Sequence, residues 1–305
     1  MTLATASTSS VISAPTPAWA LVRLLRPEQW LKNLLVFAAL LFSRRLFVPH
    51  DVLRVLILFG CFSAMASAVY IFNDWVDAAA DRANPTKAGR PLAAGTVPVP
   101  LALGLAGILA AAGIIGVVLT DPFTAVWCAA YLVINVLYTL DLKSRPILDV
   151  GCIASGFVLR AFAGATMIAV PISRWLILCS MFLALFLGVI KRRQELVHLR
   201  DNAGSHRPVL KEYTEAFLDH MSSVLAAATL VCYTLYTLDA ETVARFSTDR
   251  LVYTVPFVLY GIFRYLYLVH RQGLGATPGD VLLRDRPLAV TLVLWAGVAA
   301  AVIYR

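Results

Sequence analysis

Long apolar runs, each of the length needed to cross a lipid bilayer, dominate this chain and leave few fold classes open. Nine such runs can be delimited, at residues 31–48, 52–73, 99–119, 122–140, 147–169, 173–193, 216–238, 250–270 and 287–304. About 20 apolar helical residues span a bilayer core. Only 14% of the 305 residues are charged, against about 25% in soluble domains. We therefore predict an all-α integral membrane protein with nine transmembrane helices.

The remainder of the chain adds no second folded domain. Residues 1–17 are rich in Ser, Thr, Ala and Pro and carry no basic start of a signal peptide, so we predict a disordered tail. Residues 18–30 mix Trp, Leu and Arg, which is typical of an interfacial amphipathic helix. No polar segment exceeds about 25 residues, too short for a core of its own. We predict one transmembrane helical domain over residues 18–305.

The basic residues of the loops predict the orientation of the helices. With the amino terminus inside, the inner segments hold 18 Lys and Arg and the outer segments hold seven. Because cytoplasmic loops carry the excess of Lys and Arg, we expect a multi-pass protein of the plasma (inner) membrane with its long polar loops in the cytoplasm. The net charge of +8 then reflects these loops and anionic ligands, with no nucleic-acid partner.

An acidic motif closes the second apolar run, in the sequence NDWVDAAADRANPTKAGRP of residues 73–91. On a helix, Asp74, Asp77 and Asp81 share one face, where like charges repel each other unless a cation lies between them. Hard oxygen ligands favour Mg²⁺, which takes substrate phosphates as further ligands. We predict that Asn73 and these three acids bind Mg²⁺. The three acids are also candidate catalytic residues. The alternative is a helix end whose acids pair with the following bases. Those bases, suited to gripping phosphates, are Arg82, Lys87 and Arg90.

A second polar segment surrounds the start of the fifth run, in YTLDLKSRPILDVGCIASGFVLRAFAGA of residues 138–165. Lys143 and Asp149 flank Pro146, and Arg160 lies about three turns deeper. An arginine at that depth is costly unless it faces a polar cavity or pairs with an anion. Ordinary loop charge is the alternative for Lys143, and a structural pair with an acid is the alternative for Arg160.

Two further segments carry bases at the same side of the membrane. KRRQEL follows the sixth run and contains Lys191, Arg192 and Glu195; its excess of base suits anionic oxygens better than a second metal ion. FRYLYLVH and LLRDRPL, around the eighth loop, contribute Arg264. No Walker A, HExxH, GxSxG or dinucleotide motif is present.

Together with RPEQWLKN near the start, these motifs resemble the UbiA superfamily of intramembrane prenyltransferases, from about residue 20 to 290. KRRQEL stands where other members have a second Asp-rich motif, which narrows the resemblance to a branch that acts on polyprenyl (decaprenyl-like) phosphate. The resemblance implies a nine-helix bundle with a central cavity open to cytoplasm and bilayer. The implied reaction moves 5-phosphoribose from 5-phosphoribosyl 1-diphosphate (PRPP) to the lipid phosphate, with Mg²⁺. Asp149, the fourth candidate catalytic residue, would contact Mg²⁺ or a ribose hydroxyl. The implied substrate-binding residues are Lys32, Arg82, Lys87, Arg90, Tyr138, Lys143, Arg160, Lys191, Arg192, Glu195 and Arg264.

Two other functions are alternatives to this transfer reaction. An aromatic prenyltransferase would use a polyprenyl diphosphate and a hydroxybenzoate-like acceptor, and it would favour a second Asp-rich motif and a placed base. A transporter would show interrupted helices and matching polar residues in two halves, whereas the acids here cluster at one membrane face. Neither the oligomeric state nor the polyprenyl length can be read from the chain.

Overall fold

The computed structural model describes residues 17–84, 87–199, 208–272, 281 and 284–304. Within these ranges the regular structure is entirely helical, which confirms the predicted all-α class. The α-helices are α1 (Pro17–Leu25), α2 (Ala38–Phe42), α3 (Pro49–Val76), α4 (Ala78–Ala83), α5 (Val99–Thr120), α6 (Pro122–Leu140), α7 (Leu148–Met167), α8 (Arg174–Leu199), α9 (Glu215–Leu238), α10 (Ala240–Phe246), α11 (Val255–Gln272) and α12 (Arg286–Ile303). Short 3₁₀ segments are Pro27–Phe37, Leu142–Ser144, Pro208–Glu212 and Arg250–Thr254. The predicted tail lies outside the described residues except for its last position.

Eight helices in the described ranges are long and apolar enough to cross a membrane. They are α3, α5, α6, α7, α8, α9, α11 and α12. Large apolar side chains such as Leu119, Phe123 and Val293 are exposed on their outer faces, as expected where lipid is the solvent. The protein is therefore a multi-pass membrane protein.

The first predicted span, residues 31–48, differs from the prediction. It is formed by the 3₁₀ segment Pro27–Phe37 and the short helix α2, with no single long helix. Asn33 is fully buried in this segment and donates to Ser63 Oγ at 3.1 Å. Val36 lies so close to α7 that a Cβ on Gly164 would come within 2.2 Å of its carbonyl oxygen. These long-range contacts hold the chain in a tighter helix than the apolar pattern predicts.

The helices form two packed groups that meet at α7. One core contains Phe62 and Met65 of α3 with Tyr131 of α6. The other contains Phe186 and Ile190 of α8 and packs against α9 and α11. Helix α7 contacts both α6 and α8. Helix α7, which carries Asp149 and Arg160, therefore lies between the two groups.

The chain segments that carry the sequence motifs meet at one end of this bundle, which we call the polar end. It is formed by the end of α3, α4, residues 87–98, residues 141–148, and the facing ends of α8 and α9. Ion pairs and hydrogen bonds join these segments across the chain, including Lys143 to Asp77 and Arg192 to Asp149. The opposite end holds the turns at residues 43–48, 121 and 168–173.

Candidate active site

Two acids of the motif share one arginine. Helix α3 ends at Val76 and α4 begins at Ala78, but the backbone bond from Asp81 N–H to the Asp77 carbonyl keeps the helical path. Asp74 and Asp81 are both buried. Arg90 Nη1 lies 3.2 Å from Asp74 Oδ1 and 2.6 Å from Asp81 Oδ2. A single cationic nitrogen thus stands between the two carboxylates, in agreement with their i, i+7 spacing.

Arg26 completes the partners of Asp74. It precedes the 3₁₀ segment with a left-handed backbone (φ 52°), and its Nη2 donates to Asp74 Oδ1 at 2.6 Å. Its guanidinium also lies over the Tyr70 ring, 5.3 Å from the centroid. Sequence reasoning did not select Arg26 as a site residue, although RPEQWLKN, the motif that contains it, is part of the family resemblance.

Asp77 faces a different set of groups. Lys143 Nζ donates to its Oδ1, and Asn73 Nδ2 donates to its Oδ2 at 3.1 Å. Asn73 Oδ1 in turn accepts from Thr139 Oγ1 of α6 at 3.3 Å. The structure therefore brings Lys143 to the acidic motif, as a contact between the second and first polar segments. Its predicted role toward substrate stays a prediction.

The remaining bases of the first motif lie at the rim. Arg82 Nε donates to the Ala93 carbonyl at 3.1 Å, and Lys87 Nζ is 4.0 Å from Asp81 Oδ1. Lys32 donates to the Tyr70 hydroxyl at 3.1 Å, one turn of α3 before Asn73. With Arg26, Arg90 and Lys143, these side chains form a ring of positive charge around the acids.

Arg160 is buried on α7 among neutral partners. Its Nε donates to Asn33 Oδ1 at 2.7 Å, its Nη1 to the Gly156 carbonyl at 2.7 Å, and its Nη2 to the Tyr131 hydroxyl at 3.2 Å. Its guanidinium also lies 4.7 Å from the Tyr131 ring centroid. Among the described residues, no carboxylate pairs with it, so the alternative of a structural pair with an acid is not what the structure shows. A buried cation without a counter-charge favours an anion beside it.

Arg192 and Asp149 form a buried pair where the start of α7 packs against the last turns of α8. Arg192 Nε donates to Asp149 Oδ2 at 2.6 Å, and its Nη1 donates to Glu195 Oε2 at 2.8 Å. The other Asp149 oxygen accepts from the Tyr213 hydroxyl at 2.7 Å. Burial, together with this bond to Asp149, raises the pKa of Tyr213 to about 12. Both Asp149 oxygens thus have protein partners, and its contact with Mg²⁺ or ribose stays a prediction.

The other predicted substrate-binding residues are Arg264, Lys191 and Tyr138. Arg264 forms a two-point ion pair with Asp285, at 3.2 and 2.8 Å, and this pair lowers the pKa of Asp285. Lys191 and Tyr138 are partly buried and each has an interaction of its own. Helix α8 continues past Lys191 to Leu199, and residues 200–207 lie outside the described ranges.

Among the described residues, no three Asp, Glu, His or Cys side chains are grouped closely enough to hold a metal ion. Each motif acid instead faces a base. The donor set still fits Mg²⁺, because it consists of hard oxygens, and because Arg90 shows where a cation is stabilised between Asp74 and Asp81.

An apolar cavity of about 430 Å³ lies between residues 35–43 and the helices that follow α6. It is lined by α2, α7, α8, α9, α11 and α12, through residues that include Leu35, Phe42, Leu176, Tyr236 and Trp295. Such a volume is within the range of ligand cavities, and its apolar lining suits a hydrocarbon chain.

These features define a family of membrane-embedded transferases. Residues 33–277 match the UbiA prenyltransferase family, and the protein belongs to this family. The resemblance predicted from the motifs is thereby confirmed. Fold comparison agrees with it: a UbiA homolog from Archaeoglobus fulgidus bound to GPP and Mg²⁺ superimposes with a TM-score of 0.69 at 21% identity, covering 94% of this chain and 100% of that one. A digeranylgeranylglyceryl phosphate synthase gives 0.63 at 15% identity, covering 94% of this chain and 97% of that one.

Relatives within the family indicate which of its branches this chain is similar to. The chain is 33% identical over 299 residues to decaprenyl-phosphate phosphoribosyltransferase of Mycolicibacterium smegmatis, covering 93% of this chain and 92% of the relative. It is 36% identical over 289 residues to the protein of the same name from Mycobacterium tuberculosis, covering 93% and 94%. The similarity therefore spans nearly the full length of these proteins, in accord with the predicted branch.

Proposed function

We propose that this enzyme transfers 5-phosphoribose from PRPP to a polyprenyl phosphate and releases diphosphate. The observation that supports this proposal most directly is the ring of bases around the motif acids, contributed by three separate chain segments. The same bundle also holds the apolar cavity. The donor brings three phosphate groups and the acceptor brings one. A site that receives both must neutralise a large negative charge beside a place for a hydrocarbon chain. The relatives named as phosphoribosyltransferases support the same choice of substrates.

The bond changes need no general base. The lipid phosphate is a monoester whose second pKa is about 6, so it is largely ionised at neutral pH. One of its oxygens attacks the anomeric carbon of ribose, and the bond from that carbon to the diphosphate oxygen breaks with its electron pair leaving on diphosphate. The transition state has oxocarbenium character, by analogy with glycoside chemistry. The protein's task is to align two anions and stabilise the departing one.

The bases near the acidic motif are suited to the diphosphate end of the donor. Arg90 and Lys143 already engage carboxylate oxygens, through geometry that phosphate oxygens can also accept. Arg82 and Lys87 lie on the rim, where they can meet a phosphate as it arrives. Mg²⁺ held by Asn73, Asp74, Asp77 and Asp81 would supply further charge neutralisation for the leaving diphosphate.

Arg160 is suited to a phosphate that enters the membrane more deeply. It is held in place by Asn33, Gly156 and Tyr131, all neutral, so its charge is available to an anion. The lipid phosphate and the donor's 5-phosphate are the two candidates. The apolar cavity would take part of the polyprenyl chain.

We also propose that the polar end faces the cytoplasm, since 18 of the Lys and Arg residues fall on that side and seven on the other. PRPP is a soluble, highly charged donor that reaches a cytoplasmic site without crossing lipid.

The test is transfer of label from radiolabelled PRPP into an organic-extractable polyprenyl product, with matching release of diphosphate, by the purified enzyme in lipid nanodiscs. The same preparation receives polyprenyl diphosphate with 4-hydroxybenzoate, the substrates of the aromatic prenyltransferase alternative. We expect product from the first pair and background from the second. Prenylated hydroxybenzoate without use of PRPP would overturn the proposal.

A further inference from the structure

A strained turn at Ile147 lies at the polar end, between Lys143 and Asp149, the partner of Arg192. Ile147 has φ 68° and ψ −44°, and the Leu148 N–H donates to the Pro146 carbonyl at 2.8 Å. This is a γ-turn of the rare positive-φ kind. A β-branched residue is strongly disfavoured there. Such strain persists only where the surroundings hold it, and it is concentrated at functional sites.

Tyr213 is the side chain that holds this turn. Its hydroxyl accepts from the Ile147 N–H at 2.6 Å and donates to Asp149 Oδ1 at 2.7 Å. Tyr213 and Asp149 are both buried. One oxygen therefore satisfies the backbone donor of the strained residue and fixes the carboxylate two residues later. A phenylalanine would fill the same space but could make neither bond.

The turn at Ile147 and the Tyr213 hydroxyl connect two bases, Lys143 and Arg192, that belong to different elements. Lys143, four residues before Ile147, binds Asp77 of the acidic motif. Asp149, on the other side of the turn, binds the buried Arg192, whose Nη2 has no hydrogen-bond partner. Any relaxation of Ile147 would move Lys143 relative to Arg192.

We infer that Tyr213 is a positioning residue, which sets the distance between Lys143 and Arg192 by holding the γ-turn at Ile147. The inference rests on the proposed function, because it assigns this spacing to recognition of the phosphates of the donor. Tyr213 lies between α8 and α9 and is not among the site residues predicted from the sequence. It acts through its partners without touching substrate.

The first experiment compares Tyr213→Phe with Tyr304→Phe. Tyr304 also donates its hydroxyl to a backbone carbonyl, that of Leu41, but at the opposite end of the bundle. Loss of two buried hydrogen bonds near a charged group predicts that Tyr213→Phe lowers kcat/KM for PRPP by about tenfold or more. The change should appear mainly in KM for PRPP, with KM for the polyprenyl phosphate nearly unchanged. Tyr304→Phe should match the wild type. Wild-type kinetics in Tyr213→Phe, or equal losses for both substrates, would overturn the inference.

A second variant tests the role of strain itself. Glycine adopts positive φ freely, so Ile147→Gly in the Tyr213→Phe background should keep the turn without the hydroxyl and recover part of the lost affinity for PRPP. A merely structural role for the hydroxyl predicts no such rescue, and its absence would count against the inference.

Amide hydrogen exchange provides a readout that needs no substrate. Residues 141–149 should exchange faster in Tyr213→Phe than in the wild type or in Tyr304→Phe. Unchanged exchange would overturn the inference whatever the enzyme's substrate. Faster exchange in a protein whose wild type ignores PRPP would support the link from Tyr213 to the turn and reject the proposed function alone.

Discussion

Asp77 is the motif acid with the most exposed carboxylate, since its side chain keeps 29% of its accessible surface whereas that of Asp74 keeps 2%. Its partners, Lys143 and Asn73, come from two sides of the site. We expect Asp77→Asn to lower turnover by about a hundredfold or more, because it removes an anionic ligand from the proposed metal site. Activity and the thermal unfolding midpoint are measured together.

The matched control for this change is Asp141→Asn. Asp141 forms an exposed ion pair with Arg145 on the same end of the bundle, and such pairs contribute little. An active Asp77→Asn enzyme, or one that simply fails to fold, would show that the acids have a structural role.

Replacing Arg160 by lysine keeps the positive charge and removes the planar guanidinium. Lysine cannot donate through the planar fork that now reaches Asn33, Gly156 and Tyr131. We expect Arg160→Lys to raise KM for one substrate by about tenfold or more, with a much smaller change for the other. Steady-state kinetics with each substrate varied in turn checks this. Arg174→Lys, at an exposed position of the opposite end, is the control, and small equal effects of Arg160→Lys on both substrates would favour a packing role.

At the scale of single residues, sequence reasoning reached those whose function follows from local spacing. The i, i+3, i+7 pattern is sufficient to select Asp74, Asp77 and Asp81. Arg26 and Tyr213 escaped it, because their significance comes from partners that are distant in the chain. The Arg26 partner Asp74 is 48 residues away, and the Tyr213 partner Asp149 is 64 residues away.

At the scale of elements, the contact between the 3₁₀ segment Pro27–Phe37 and α7 is set by Gly164. A Cβ at this position would lie 2.2 Å from the Val36 carbonyl oxygen, a backbone atom that cannot turn aside. We expect Gly164→Ala to destabilise the protein by about 1–3 kcal/mol, as overpacking does. Gly297→Ala on α12, where an added Cβ meets nothing within 4 Å, is the control. Equal unfolding midpoints in nanodiscs for the two variants would contradict the close approach.

The same segment shows where element prediction from sequence fails. Residues 31–48 are apolar enough to predict a membrane helix, and a hydropathy pattern registers only composition and length. The buried side chain of Asn33 bonds to both Ser63 and Arg160. Those partners, 30 and 127 residues away, decide its conformation, and no local pattern contains them. The eight other spans were predicted within a few residues of their ends.

At the scale of the whole molecule, the three motif acids lie within a ring of six bases, several of which form ion pairs with them. A phosphorylated donor that engages Arg90 and Lys143 draws positive charge away from Asp74, Asp77 and Asp81, which favours binding of another cation beside these carboxylates. We therefore expect activity to vanish in excess EDTA and to return with Mg²⁺ or Mn²⁺. Measured turnover before and after chelation checks this, and full turnover in EDTA would reject the proposed metal site.

Arg90 also implies a thermodynamic linkage between ligands. Its Nη1 bridges two carboxylates, so an incoming anion that takes this nitrogen must displace them. Under the proposed function, binding of the anionic donor would raise the affinity of the acids for a divalent cation. The cation, by freeing Arg90, would raise the affinity for the donor by the same factor, because coupling between two binding equilibria is reciprocal. The empty enzyme would thus bind either partner weakly and the two together tightly.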